Sequence, residues 1–135
     1  MPTIYNSRKE ADPRYTWDFT HIYPSEAAWE EELTALRSEV EAFAAVKGTL
    51  GASAESLKSG LDRYYAIARR LEIAYVYAMI HSSTDNGDPA NQRMIGLASQ
   101  LFARANQVSS FINPEILAID ETTLAGYMAD PALSG

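Results

Sequence analysis

"LKSGLDRYYAIARRLEIAYVYA", residues 57–78, is the stretch whose reading decides the fold. Leu57, Leu61, Tyr64, Ala68, Leu71, Tyr75 and Ala78 recur at intervals of 4, 3, 4, 3, 4 and 3. An α-helix brings such positions onto one stripe, whereas a strand needs strict alternation. Ser53 can accept the first free amide hydrogens as a cap. "STDNGDP", residues 83–89, concentrates residues that end helices. The expected helix therefore covers 53–83 and is about 45 Å long at 1.5 Å per residue. Its "AYVYAMI" portion, 74–80, is apolar on more than one face and needs cover from two sides.

Outward from this helix the same rhythm returns. Upstream, Trp29, Leu33, Leu36, Val40 and Phe43 are spaced 4, 3, 4 and 3. Pro24 and Ser25 mark the entry, and Glu26, Glu30, Glu31 and Glu32 place negative charge near the favourable end of the helix dipole. Lys47 followed by Gly48 marks the exit, so the helix is expected over 25–47, with "GTLGAS" (48–53) as the turn. Downstream, Asp88 and Pro89 open a third helix whose line is Met94, Ala98, Leu101, Ala105, Val108 and Ile112, giving 89–112. Pro114 interrupts that helix or starts a new turn, and Asp120 caps a short last helix over 120–129. No alternating pattern of useful length and no internal repeat occurs.

The predicted fold is all-α: an antiparallel helical hairpin or bundle of three to four helices, with an extended N-terminal arm over 1–24 and a helical lobe over 25–135. The arm carries Pro2, Pro13 and Pro24 and no sustained helical period. Ala68, Ala78, Ala98 and Ala105 let the second and third helices approach closely. The arm's aromatic surface makes it either a short binding arm or an anchored strap in which Trp17, Phe19 and Tyr23 bury against the helices.

Composition narrows the function. The chain has 135 residues, 47% hydrophobic and 21% charged, and a formal charge of −7 from 11 basic and 18 acidic residues. The densest basic cluster is Arg69-Arg70, which excludes a nucleic-acid backbone binder and an anionic-membrane binder. The most apolar run, 71–80, is too short for the roughly 20 residues of a membrane span. Residues 1–20 hold no apolar core of a signal peptide. The chain has no cysteine, which excludes disulfides and thiol chemistry within it and fits a cytoplasmic location.

No catalytic pattern stands out in the sequence. His21 and His81 are the two histidines, sixty positions apart, and neither has a second histidine at the spacing a zinc hydrolase needs. Both read as solvated or structural, with the helix end favouring the charged form of His81. "EEE" (30–32) reads as a solvated face. "DNGD" (85–88) lacks the ligand spacing of a calcium loop and reads as a turn with a cap. "GTLG" (48–51) is too short for a phosphate loop, and Ser109-Ser110 has no histidine near in sequence. Tyr64, Tyr65, Tyr75 and Tyr77 form a partial stripe, either core packing or a substrate-facing wall. No catalytic or metal-binding residue is assigned, and substrate-binding residues are not identified.

Four phrases carry a resemblance. "YTWDFTHIYPSEAAWEEE" (15–32) holds Trp17, Asp18, Phe19, Ile22, Tyr23 and Trp29. "FAAVKGTLGASAESL" (43–57) holds the Lys-Gly turn, and "LEIAYVYAMIHSSTDNGDPANQ" (71–92) a Tyr-Ala helix before an Asp-containing turn. "SSFINPEILAI" (109–119) holds Phe111, Pro114, Glu115 and Ile116. Together and in this order they resemble the N-terminal lobe of the oligoendopeptidase F family, within the thimet-type zinc metallopeptidases.

The resemblance implies a mostly helical, cytoplasmic peptidase that cleaves short peptides in a channel between two lobes. It places zinc on His-Glu-x-x-His and a later Glu in a C-terminal catalytic domain, none of which lies in these residues. The chain is then expected to be a non-catalytic lobe, ending before that domain, inactive alone and holding no zinc itself. Its partners would be the missing catalytic domain and the parent's short peptides, with no nucleic acid or membrane involved. Exposed apolar helix faces would let the isolated lobe self-associate into a homo-oligomer. The competing expectation is a free-standing helical interaction module without enzymatic activity.

Overall fold

Ser25 begins the first helix. Its backbone is extended, and its Oγ accepts the Ala28 amide hydrogen at 3.1 Å, starting α1 (Glu26–Phe43). The buried side chains of α1 are Trp29, Leu33, Leu36, Val40 and Phe43, all five residues of the expected seam. The helix tightens into a 3-10 turn at Ala44–Val46, ahead of the expected end at Lys47. Gly48 follows with φ of +86°, a left-handed conformation that a glycine adopts without strain. The structure, a computed structural model, describes residues 3–134; Pro2 of the expected arm and Gly135 lie outside them.

The second helix, α2 (Ala54–Thr84), is capped by Ser53, whose Oγ accepts the Ser56 amide hydrogen at 3.0 Å. The third, α3 (Pro89–Ser109), is capped by the Asp88 carboxylate on the Ala90 amide at 2.8 Å, with Pro89 in the first turn, where no amide hydrogen is needed. The two form an antiparallel hairpin, and α1 lies against one face of it, touching both. Helical packing thus makes an all-α body, with no strand among the described residues.

Side chains facing one another across this layer build the core: Trp29, Leu36 and Val40 of α1, Ile67, Leu71 and Ala74 of α2, and Met94, Ala98 and Leu101 of α3. A large side chain buried this way contributes about 1.5–3 kcal/mol. Trp29 is 0% exposed, and its indole N–H donates to the Ala74 carbonyl of α2 at 2.9 Å, so its one polar atom is satisfied inside the core. Gly60 lets the 46–50 turn lie on α2: a Cβ there would come within 2.4 Å of Leu50.

The seam of α2 differs from the expected one. Leu57, Leu71 and Ala78 are buried, but Leu61, Tyr64, Ala68 and Tyr75 are only half-buried, and Ile67, Ala74 and Tyr77 take their places in the core. The reason is that α2 is flanked by two helices. Its buried stripe turns toward α1, and part of the expected line falls on the edge that α1 does not cover.

Ion pairs stitch α1 to the hairpin. Arg70 of α2 donates to Glu32 at 2.7 Å and to Glu39 at 2.6 Å, Arg104 of α3 to Glu41 at 2.6 and 2.7 Å, and Arg93 to Glu30. Two of the three acids of "EEE" are therefore interhelical partners and not a purely solvated face. Hydrogen bonds from Arg70 hold the Glu32 carboxyl below the usual carboxylate range. These pairs are part-exposed and screened by solvent, so they orient α1 more than they hold it.

The third helix stops at Ser109, three residues before its expected end at 112, and a new one begins, α4 (Ile112–Leu117). Pro114 sits in the first turn of α4, so it starts that turn instead of breaking the previous helix. Glu115 of α4 accepts amide hydrogens from Gly48 at 2.9 Å and Leu50 at 2.8 Å. Helix α5 (Glu121–Met128) is capped by Asp120 on the Thr123 amide at 2.9 Å, and its Tyr127 hydroxyl donates to the Gly51 carbonyl at 2.9 Å. The tail is thereby fastened over the α1–α2 turn. A 3-10 turn at Pro131–Leu133 rests against α2.

Candidate functional site

Two concave surfaces flank the hairpin. The first forms where the arm reaches the end of α2. The arm has no long helix, only 3-10 turns at Arg8–Glu10 and Pro13–Tyr15. It is pinned by Phe19, 4.9 Å from the His81 ring, and by Tyr23, edge-on to Tyr77 at 5.0 Å. The Arg8 guanidinium lies 4.6 Å over Phe19 and donates to the Trp17 carbonyl at 2.6 Å, while the Arg8 amide donates to Asp85 at 3.1 Å. These groups enclose a cleft of about 450 Å³.

Trp17 does not bury as expected. It lines the rim of the cleft and is 80% exposed, and Tyr15 is equally open. The strap is made by Phe19 and Tyr23, which pack against the core. Trp17 precedes the turn that swings the chain onto α2, so its ring has no helix to lie on.

His81 is tucked between Phe19 and Tyr77, and its Nε2 is buried without a hydrogen-bond partner. Burial lowers its pKa against the pull of Glu26, with Arg8 adding to the lowering. The neutral form is therefore favoured, the reverse of the helix-end argument, because aromatic enclosure outweighs the dipole. The carbonyls of His81 and Asp85 are satisfied from the side by buried Asn91, whose Nδ2 donates at 3.0 and 2.9 Å. His21 is exposed, 3.7 Å from Asp18.

The second surface is a groove of about 750 Å³ between α2 and α3, on the face α1 leaves bare. Its floor reaches Phe43, Ile67 and Leu71, and its walls carry Tyr64, Tyr75, Met79 and Phe102. The tyrosine stripe therefore divides: Tyr77 joins the core, Tyr64 and Tyr75 line the groove, and Tyr65 points outward, 64% exposed. Phe102 and Met79 lie outside both expected seams. The signal that pointed toward Met79 is the two-faced apolar character of 74–80; Phe102 had none.

The remaining sequence candidates have structural uses. Amide hydrogens of "GTLG" are taken by the Glu115 carboxylate. Asp85 and Asp88 accept backbone amides, and Ser109 and Ser110 donate to the Ala105 and Gln107 carbonyls, each at 2.8 Å. Among the described residues no three His, Asp or Glu side chains gather to hold a metal ion. With one histidine exposed and the other enclosed by rings, the donor set does not fit zinc, and no metal-dependent step is built on these side chains. No described helix is long and apolar enough to cross a membrane.

No protein-family model matches the chain. Curated relatives do. It is 33% identical over 125 residues to the plasmid oligoendopeptidase F of Lactococcus lactis subsp. cremoris, covering 92% of this chain and 21% of the relative. It is 30% identical over 123 residues to oligopeptidase PepF of Bacillus subtilis, covering 91% of this chain and 18% of that protein. The group B oligopeptidase PepB of Streptococcus agalactiae is 26% identical over 93% of the chain. A crystal structure of a proposed peptidase from Chlamydophila abortus superposes with a TM-score of 0.78 at 24% identity, covering 94% of this chain and 22% of that one, which supports the same fold. The chain thus spans about a fifth of the length of the relatives it matches. Over that extent, a helical lobe with an aromatic arm, it is a homologue of oligoendopeptidase F proteins.

Proposed function

We propose that this chain is the non-catalytic N-terminal lobe of a zinc-dependent oligoendopeptidase that hydrolyses short peptides in the cytoplasm. The observation that carries the proposal is the extent of the match: more than nine-tenths of the chain aligns with oligoendopeptidases, using only about a fifth of each. In this reading the lobe walls a channel and limits entry to short, unfolded peptides. A His-Glu-x-x-His helix in the remaining polypeptide would hold the zinc, which would supply Lewis-acid chemistry there and not in this lobe. The present residues supply shape and not chemistry.

The coding sequence tests this. A reading frame continuing past Gly135 into His-Glu-x-x-His is the expected result, and a stop codon shortly after Gly135 would overturn it. The longer protein should cleave a quenched fluorescent oligopeptide and lose that activity to a chelator, whereas the 135-residue chain should be inactive with zinc supplied. The open groove favours a second reading, a free-standing helical interaction module. That reading expects the short reading frame and a partner protein bound to the groove.

A further inference from the structure

The hairpin has two faces, and a single helix covers one. On the α1 side the side chains interlock. On the other side Phe102 and Met79 remain 41% and 43% exposed, above a floor that reaches the buried Phe43, Ile67 and Leu71. The groove is an open surface concavity whose lining is mostly apolar. From Tyr64 to Met79 it runs about four turns along α2, the length of an ordinary helix.

We infer that the α2–α3 groove seats an amphipathic helix from the remainder of the same, longer polypeptide, with a bulky apolar side chain lying on the contacting Tyr75–Phe102 ring pair and a Lys or Arg facing Glu72. The inference rests on the preceding reading that the chain is one lobe of a longer peptidase. Three observations select this occupant. First, the relatives carry about four times as much polypeptide again as the matched part, so apolar helices are available in covalent attachment. A tethered segment docks without the loss of translational freedom that separate partners bear. Second, the 3-10 turn Pro131–Leu133 rests on α2, so polypeptide following it departs from beside the helix that forms one wall. Third, charge disfavours a second copy: each chain carries −7, and groove-to-groove docking would bring Glu72 toward its own counterpart. Glu72 makes no ion pair among the described residues, whereas Glu30, Glu32, Glu39 and Glu41 of α1 are matched by arginines of the hairpin.

A photo-crosslinking amino acid placed at position 102 in the full-length protein tests the assignment. Irradiation followed by peptide mapping should give an adduct within the same polypeptide at monomer mass, on an apolar helix outside residues 1–135, with a cation within a turn of the joined residue. An adduct joining two copies would overturn the inference, as would one on a separate protein or on added substrate peptide alone, or an unjoined, solvent-reacted probe. The same probe at Glu31, exposed and remote from the groove, should give no such adduct. Phe102→Glu removes the ring contact with Tyr75 in both forms, but should lower the Tm of the full-length protein by several degrees more than that of the 135-residue chain; equal losses in both would also overturn it. The two proposals fail separately. A short reading frame removes the peptidase reading, whereas a long one with an unoccupied groove removes only this assignment.

Discussion

Two tryptophans twelve positions apart stand in the same aromatic phrase and have opposite fates. Trp29 is sealed in the centre of the molecule, and Trp17 is 80% exposed at the rim of the arm. Both are followed by acids and flanked by apolar residues. The difference lies in what carries them. Trp29 is the first member of a helical stripe, so four further side chains on the same face share its environment and bring it against α2. Trp17 lies in an extended segment with no period, and each of its neighbours finds a place independently. Aromatic content measures how much surface is available for burial; periodicity determines whether the backbone delivers it.

The largest effect that can break this comparison is at Trp29. Truncating it to alanine removes a filled core volume and the hydrogen bond to the Ala74 carbonyl. The expected loss is about 3–5 kcal/mol, a large part of the 5–15 kcal/mol typical of a whole domain. Thermal melts followed by far-ultraviolet circular dichroism should show the variant melting far below wild type or failing to fold. A Trp29→Ala variant as stable as wild type would mean that α1 does not close the core.

The same distinction explains how much of the molecule was legible in the sequence. The α1 seam was readable in full because α1 faces one surface. The α2 line was readable in part because α2 meets α1 and α3 on different sides, whereas α1 meets both of its partners on one. Asn91, which satisfies the end of α2 from the side, has no signature in its neighbourhood, since its partners are ten and six residues away, in the last turn of α2 and just past it. The groove was legible only as surplus: residues 74–80 carry more apolar surface than one packing face can use. Phe102 could not be assigned, because whether an apolar residue off the main stripe is idle or waiting for a partner depends on polypeptide outside these residues. The absence of a metal-binding spacing was plain from two distant histidines; the reversal at His81 was not, because it depends on the arm folding back over it.

A smaller effect sharpens the comparison at the arm's working end, where Phe19 meets His81. Burial lowers the His81 pKa from 6.5. The unfolded chain therefore binds a proton here more readily than the folded one as pH falls through 6.5. The contribution of this site is fully present above that pH and is lost below it. Wild-type Tm should decline as the solution is taken from neutral to mildly acidic, and His81→Phe, which keeps a ring against Phe19 and Tyr77, should decline less over the same range. Parallel declines would show that the histidine titrates as freely folded as unfolded and that the arm does not enclose it.

The smallest effect is the one that separates the two tryptophans. Trp17→Ala removes a large ring but uncovers no core, so the stability of this chain should change by no more than about 0.5 kcal/mol. The variant also isolates Trp29 as the sole remaining indole. Its emission should be blue-shifted and resistant to acrylamide, whereas a Trp29→Phe variant, with Trp17 alone, should emit like an indole in water and quench readily. If Trp17→Ala instead costs as much as Trp29→Ala, or if its emission proves shielded in the Trp29→Phe variant, then the arm is held from Trp17 onward and not from Phe19. The contrast would then reduce to one of position within a single packed segment, and exposure in the arm would cease to follow from its lack of period.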